Sequence, residues 1–113
     1  MNLHRSLLRL SLLAAGALVV AGASGAGAAT TKQVVIKDIE FTPTTVRITK
    51  GSKVTWAWRD ENVPHNVASR GAKRFRSSGT NNEGTHTVRF TKTGTYRYVC
   101  TIHANMSGKV IVR

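Results

Sequence analysis

The sequence predicts an all-β domain, a two-sheet sandwich of about seven or eight short strands. Two observations predict it. Beyond residue 28, apolar side chains alternate in short runs bounded by Gly, Pro, Asn and Asp, which is the period of a strand with one buried face. No stretch there sustains the 3.6-residue period of a helix, and strands of this kind bury their apolar faces by packing as two sheets.

The chain opens differently. Residues 1–9 carry Arg5 and Arg9 and no acid, an apolar run follows from Leu10 to about Ala23, and Ala26-Gly27-Ala28 comes next. A basic start, a short apolar run and an A-x-A site describe a secretory signal peptide, cleaved after Ala28. The run is shorter than the roughly 20 residues a bilayer span needs, so the mature form, residues 29–113, is expected to lack a transmembrane segment. No Cys follows the run to carry a lipid, and no twin-arginine pair precedes it. The protein is therefore expected to be exported, to a periplasm or to the outer face of the envelope.

The strands follow in order. Gln33–Ile36 alternates, with Val34 and Ile36 on one face. Val46 and Ile48 repeat the pattern, and Lys50-Gly51 marks a turn. Val54, Trp56 and Trp58 share a face of the next strand, which Asp60-Glu61-Asn62 ends. A short strand over His65–Ser69 follows Pro64, and Arg70–Gly84 is the one long irregular piece. His86, Val88 and Phe90 share a face before the turn at Lys92-Thr93-Gly94. Tyr96, Tyr98 and Cys100 share the next, and Val110 and Val112 close the domain. His86, on an inward face, reads as a half-buried packing residue.

A domain this small is marginal for burying a core, and exported domains of its size often rely on disulfides. Cys100 is the only cysteine, so a metal is the staple that would also use the thiol. Lys and Arg number 17 against 5 acids, and without Arg5 and Arg9 the charge is still +10. Such a field favours acidic partners. Export, and the lack of an aromatic-studded basic stretch, count against nucleic acid.

The chemistry is concentrated near the C-terminus. Cys100, His103 and Met106 stand three residues apart, in a tight loop between two strands that can aim all three at one point. His65 lies far upstream, where the sandwich must bring it in. Two imidazoles, a thiolate and a weak thioether make a trigonal type 1 copper site. Taken singly, each is as readily a packing or surface residue. Their joint occurrence around the only thiol points to one copper ion, cycling between Cu(II) and Cu(I).

Here the sequence resembles a known family. Val54-Thr55-Trp56, Pro64-His65-Asn66-Val67, Gly94-Thr95-Tyr96, the Cys100-x-x-His103-x-x-Met106 loop and Gly108-Lys109-Val110 look like the plastocyanin/amicyanin branch of the cupredoxins, over nearly the whole mature domain. The short loop is more like that of amicyanin than those of plastocyanin and pseudoazurin. The resemblance implies a Greek-key sandwich with His65, Cys100, His103 and Met106 as copper ligands. It implies that Asn66 ties the two ligand-bearing segments together, with Pro64 and Thr101 as the other supporting residues. Departures are a loop without proline, Trp58 where the branch has a small polar residue, and one extra residue between Trp56 and Pro64.

These features predict an exported, monomeric electron carrier rather than an enzyme, since four protein ligands leave no position for substrate. Copper buffering or delivery is the alternative. A metal-free binding sandwich leaves Cys100 unexplained, and a binuclear copper domain would need a second Cys. The expected electron port is His103 with Ala104 beside it, ringed further by Met106 and Val63. The dense basic cluster Arg70, Lys73, Arg74 and Arg76 is a candidate docking patch for a redox protein with an acidic surface.

Overall fold

A computed structural model describes residues 27–113. The predicted signal peptide lies outside the described residues except for Gly27 and Ala28, and its cleavage remains an expectation. Among the described residues eight strands form: β1 (Thr31–Lys37), β2 (Glu40–Thr42), β3 (Thr45–Ile48), β4 (Lys53–Trp58), β5 (Ala68–Arg70), β6 (Thr85–Arg89), β7 (Gly94–Val99) and β8 (Ser107–Val112). They make two four-stranded sheets, ordered β2-β1-β4-β6 and β3-β8-β7-β5. β1 runs parallel to β4 and β3 parallel to β8, and the other pairs are antiparallel.

The alternation in the sequence becomes the two inner faces. Val34, Ile36, Val54, Trp56 and Trp58 of the first sheet meet Val46, Ile48, Tyr96, Tyr98, Val110 and Val112 of the second, all buried. Burying each large apolar side chain contributes about 1.5–3 kcal/mol. Trp56 is the centre: Phe75 stacks on it at 5.5 Å and Tyr98 meets it edge-on at 5.3 Å. Burial pushes the Tyr98 phenol up to about 12, so the ring packs as a neutral group. Gly108, paired with Tyr98 across β7 and β8, makes room for it. A Cβ there would lie 2.4 Å from the phenol oxygen.

Two segments differ from the sequence reading. The strand expected over His65–Ser69 begins only at Ala68, and His65 makes an isolated bridge with Asn81. The reason is its partner. Residues 65–69 are zipped to 75–81 by serine side chains as much as by backbone bonds: Ser78 Oγ accepts from the Val67 N–H, and Ser77 Oγ accepts from the Ser69 N–H. The irregular segment after Arg70 thus folds back along the segment that carries His65. The sequence reading also passed over β2, which forms a hairpin with β1 and buries Phe41. Its two-residue turn, Asp38-Ile39, has positive φ at both positions, 54° and 59°, the primed geometry that suits a strand hairpin. A β-branched residue rarely accepts it.

One end of the sandwich gathers the site. β7 ends and β8 begins there, with Val99 opposite Ser107, and the chain enters β5 beside them, with Ala68 opposite Val99. From the other sheet, the loop after β4 reaches the same end, where Trp58 Nε1–H donates to the His65 carbonyl at 2.9 Å.

Candidate metal centre

The loop between β7 and β8 is closed by its own backbone. The Cys100 N–H donates to the Met106 carbonyl at 2.9 Å, and Asn105 takes a positive φ of 62°, which Asn tolerates. This turn brings Cys100, His103 and Met106 around one recess. Cys100 and Met106 are buried, and His103 is half-buried.

His65 arrives from the other segment. It is fully buried, and its backbone exchanges hydrogen bonds with Asn81, at 2.9 and 3.0 Å. Its Nδ1 lies 3.9 Å from Cys100 Sγ, and His103 Nδ1 lies 3.6 Å from the same sulfur. The donor atoms of His65, Cys100 and His103 all stand within 4.8 Å of one another. Metal–nitrogen and metal–sulfur bonds of about 2.0 and 2.3 Å at 120° would put a nitrogen and a sulfur about 3.7 Å apart. The donors therefore fit one late first-row metal ion. A thiolate, two imidazoles and a thioether are the soft and borderline set that selects copper. His65, Cys100, His103 and Met106 are positioned to bind one copper ion.

The support of the donors is visible in detail. Asn66 Oδ1 accepts from the Thr101 N–H at 2.9 Å, and Asn66 Nδ2 donates to Thr101 Oγ1 at 2.7 Å and to Thr80 Oγ1 at 3.1 Å. Asn66 thus joins the segments that carry His65 and Cys100. Pro64 is exposed and directly precedes His65.

The sequence reading did not single out Asp60. Its Oδ2 accepts from His65 Nε2–H at 2.8 Å and from the Ile39 N–H at 3.1 Å. The first bond fixes the tautomer that leaves His65 Nδ1 free for a metal. The His65 hydrogen bond, then the Ile39 amide, hold the Asp60 carboxyl below its ordinary value of 3.8. The signal was present as an acid five residues before the histidine, but only the bend after β4 turns it back onto the ring.

The remaining residues fall as follows. Ala104 is exposed beside His103, Val63 is half-buried and Met106 is buried, while the exposed large apolar side chain of the loop is Ile102. Among the four clustered cations, Arg74 donates to the Gly71 and Ser69 carbonyls and Arg76 to the Thr87 carbonyl. Lys73 lies across Gly94, at the end of β7 far from Cys100. Arg70 is opposite Arg97 on β7. His86 is buried against Trp56 and its Nε2–H donates to the Arg76 carbonyl at 2.8 Å. Burial lowers its pKa from the ordinary 6.5, as befits a packing residue.

Known proteins are similar to this chain. The family model described as copper-binding proteins of the plastocyanin/azurin family matches residues 28–113. Amicyanin-alpha of Methylorubrum extorquens is 38% identical over 104 residues, covering 88% of this chain and 84% of the relative. Among solved structures, a purple cupredoxin from Nitrosopumilus maritimus superposes with a TM-score of 0.66 at 26% identity, over 73% of this chain and 99% of that one. An oxidized amicyanin variant superposes at 0.65 with 30% identity, over 73% and 81%.

Proposed function

We propose that this chain, which belongs to the plastocyanin/azurin family of copper-binding proteins, is an exported mononuclear blue-copper electron carrier that exchanges one electron at a time with redox proteins. The observation that carries this is the convergence of His65 Nδ1, Cys100 Sγ and His103 Nδ1 within 4.8 Å, with Met106 lining one recess with Cys100 and His103. Copper held there would supply the one-electron couple between Cu(II) and Cu(I), which soft sulfur and borderline nitrogen donors together accommodate.

The protein's own part is positional. Cys100 and Met106 hold sulfur donors in a buried loop, Asn66 locks that loop to the histidine segment, and Asp60 orients His65. His65 is sealed inside while His103 is half-exposed, so His103 is the ring through which electrons enter and leave, with Ala104 and Ile102 as its apolar surround. Four protein donors leave no position for a substrate, which favours a carrier over an enzyme. The basic start, the apolar run and Ala26-Gly27-Ala28 support export of the mature form, residues 29–113, to the periplasm or the outer face of the envelope, with the carrier working as a monomer.

Titrating Cu(II) into the metal-free protein tests the reading. One equivalent should give an intense blue thiolate-to-copper band and a reversible one-electron reduction, both lost in Cys100→Ser. Tight Cu(I) binding without the band, with ready release to a chelator, would indicate copper delivery.

A further inference from the structure

On the outer face of the second sheet, three cations stand side by side. Arg70 on β5 is directly opposite Arg97 on β7, and Arg97 is directly opposite Lys109 on β8. Directly opposed residues place their Cβ atoms about 4.5–5.5 Å apart, and like charges in that relation destabilise a sheet. No carboxylate is paired with any of the three among the described residues. Among the described residues no Lys or Arg makes a salt bridge, and Arg70 and Arg97 are exposed, Lys109 half-exposed.

The acids all lie elsewhere. Asp38 and Glu40 lie at the β1–β2 turn, Asp60 and Glu61 follow β4, and Glu83 precedes β6. Since β1 and β4 are parallel and β2 and β6 antiparallel to them, these five positions share one end of the first sheet. That is the end where Asp60 reaches His65. The ligand loop therefore stands between an acidic rim on the first sheet and a cationic row on the second.

The row is also close to the loop. Arg97 and Lys109 lie two residues along β7 and β8 from the Val99–Ser107 pair, about 7 Å at strand spacing, and Cys100 follows Val99 directly. A recess of about 380 Å³ is walled by Arg70, Arg97, Lys109, Val99 and Ser107, and Val99 and Ser107 also line the recess at the ligand loop.

We propose that this face, centred on Arg70, Arg97 and Lys109, seats the carboxylate-rich surface of the redox partner, which then covers His103 from the second-sheet side. The proposal rests on the electron-carrier reading and fixes the orientation of the encounter. An acidic partner is attracted to the row and repelled by the rim at Asp60, Glu61 and Glu83, so one of the two approaches to the loop is favoured.

The test uses the copper-loaded protein. In one arm the reduced, nitrogen-15-labelled protein is titrated with a hexaglutamate peptide, and amide shifts are expected to concentrate around residues 70, 97 and 109. In a second arm the oxidation rate by hexacyanoferrate(III) is measured against ionic strength. Arg70→Gln/Arg97→Gln/Lys109→Gln should lose about tenfold in rate at low salt. Lys50→Gln/Lys92→Gln/Arg113→Gln, which removes equal charge at the far end, should lose far less. In a third arm Arg97→Gln should raise the thermal midpoint, because it relieves the opposed charges. Equal rate losses in the two triple variants, peptide shifts spread over the whole basic surface, or a lowered midpoint for Arg97→Gln would each overturn the proposal. So would binding to phosphatidylglycerol vesicles or to a DNA oligonucleotide with no response to the peptide. Failure of reversible reduction would instead refute the carrier reading, and the peptide map would still report on the surface.

Discussion

Replacing Asp60 by Asn keeps the shape of the side chain and removes its charge. The amide oxygen of the new side chain can still accept from His65 Nε2–H and from the Ile39 N–H, the two bonds that Asp60 makes at 2.8 and 3.1 Å. What changes is the strength of the first. A hydrogen bond to a charged group contributes about 1.5–3 kcal/mol and a neutral one about 0.5–1.5 kcal/mol. The difference is about 1–1.5 kcal/mol of imidazole polarisation, and it falls mainly on Cu(II), the more highly charged ion. For a one-electron couple a tenfold change in equilibrium corresponds to about 59 mV, so the reduction potential should rise by about 40–65 mV. Asp60→Ala removes the bonds as well as the charge, and copper affinity should drop by about 10–100-fold, as with other supporting groups. Voltammetry of both variants, with Cu(I) and Cu(II) competition titrations, provides the measurement. A potential for Asp60→Asn that stays put or falls would refute the argument that the carboxylate acts on copper through His65.

Asn66→Ala breaks two hydrogen bonds between the ligand-bearing segments and a third to Thr80; copper affinity should fall by about 10–100-fold, with faster amide exchange at Thr101 as the check. Gly108→Ala would put a Cβ 2.4 Å from the Tyr98 ring, and denaturant titration should show a loss of about 1–3 kcal/mol from overpacking. His86 titrates below its ordinary 6.5 because burial disfavours its charged form. Its contribution to stability is therefore complete above pH 6.5 and is lost as pH falls through the lowered folded value. The thermal midpoint of the copper-loaded protein should decline over that window, and His86→Gln should decline less; identical profiles would remove His86 from the account.

The ligand set was legible because three of its four members sit in one short loop, Cys100 to Met106, whose spacing alone brings them together. The strands were legible wherever one face is buried, since Val34 and Ile36 or Tyr96 and Tyr98 report the core through alternation. What could not be read locally was what pairs across distance. Ser77 and Ser78 look like any loop serines, yet their hydroxyls take the amides of residues 69 and 67 in place of a strand ladder. Phe75 lies in a basic, irregular stretch and still supplies the ring that stacks on Trp56. Phe41, alone between Glu40 and Thr42, is too short a signal for a strand until β1 lies beside it. Asp60 read as a turn former, and its bond to His65 depends on the bend after β4.

These distant pairings are what the site is made from. His65 is held through its backbone by Asn81 and Trp58 and through its ring by Asp60. Cys100 is held through its amide by Met106, and Thr101 by Asn66. His65, Cys100 and Met106 are thus fixed by bonds made away from their ligating atoms. A donor fixed in this way has little freedom to follow the differing preferences of Cu(I) and Cu(II), so the protein holds a compromise between them and little need move when an electron passes. The bonds between His65 and Asn81 also pin the irregular segment after Arg70 to the sandwich. The donors' spacing and the fold at that end of the molecule therefore share the bonds to Asn81 and Thr80, and a variant that loosens those should loosen both.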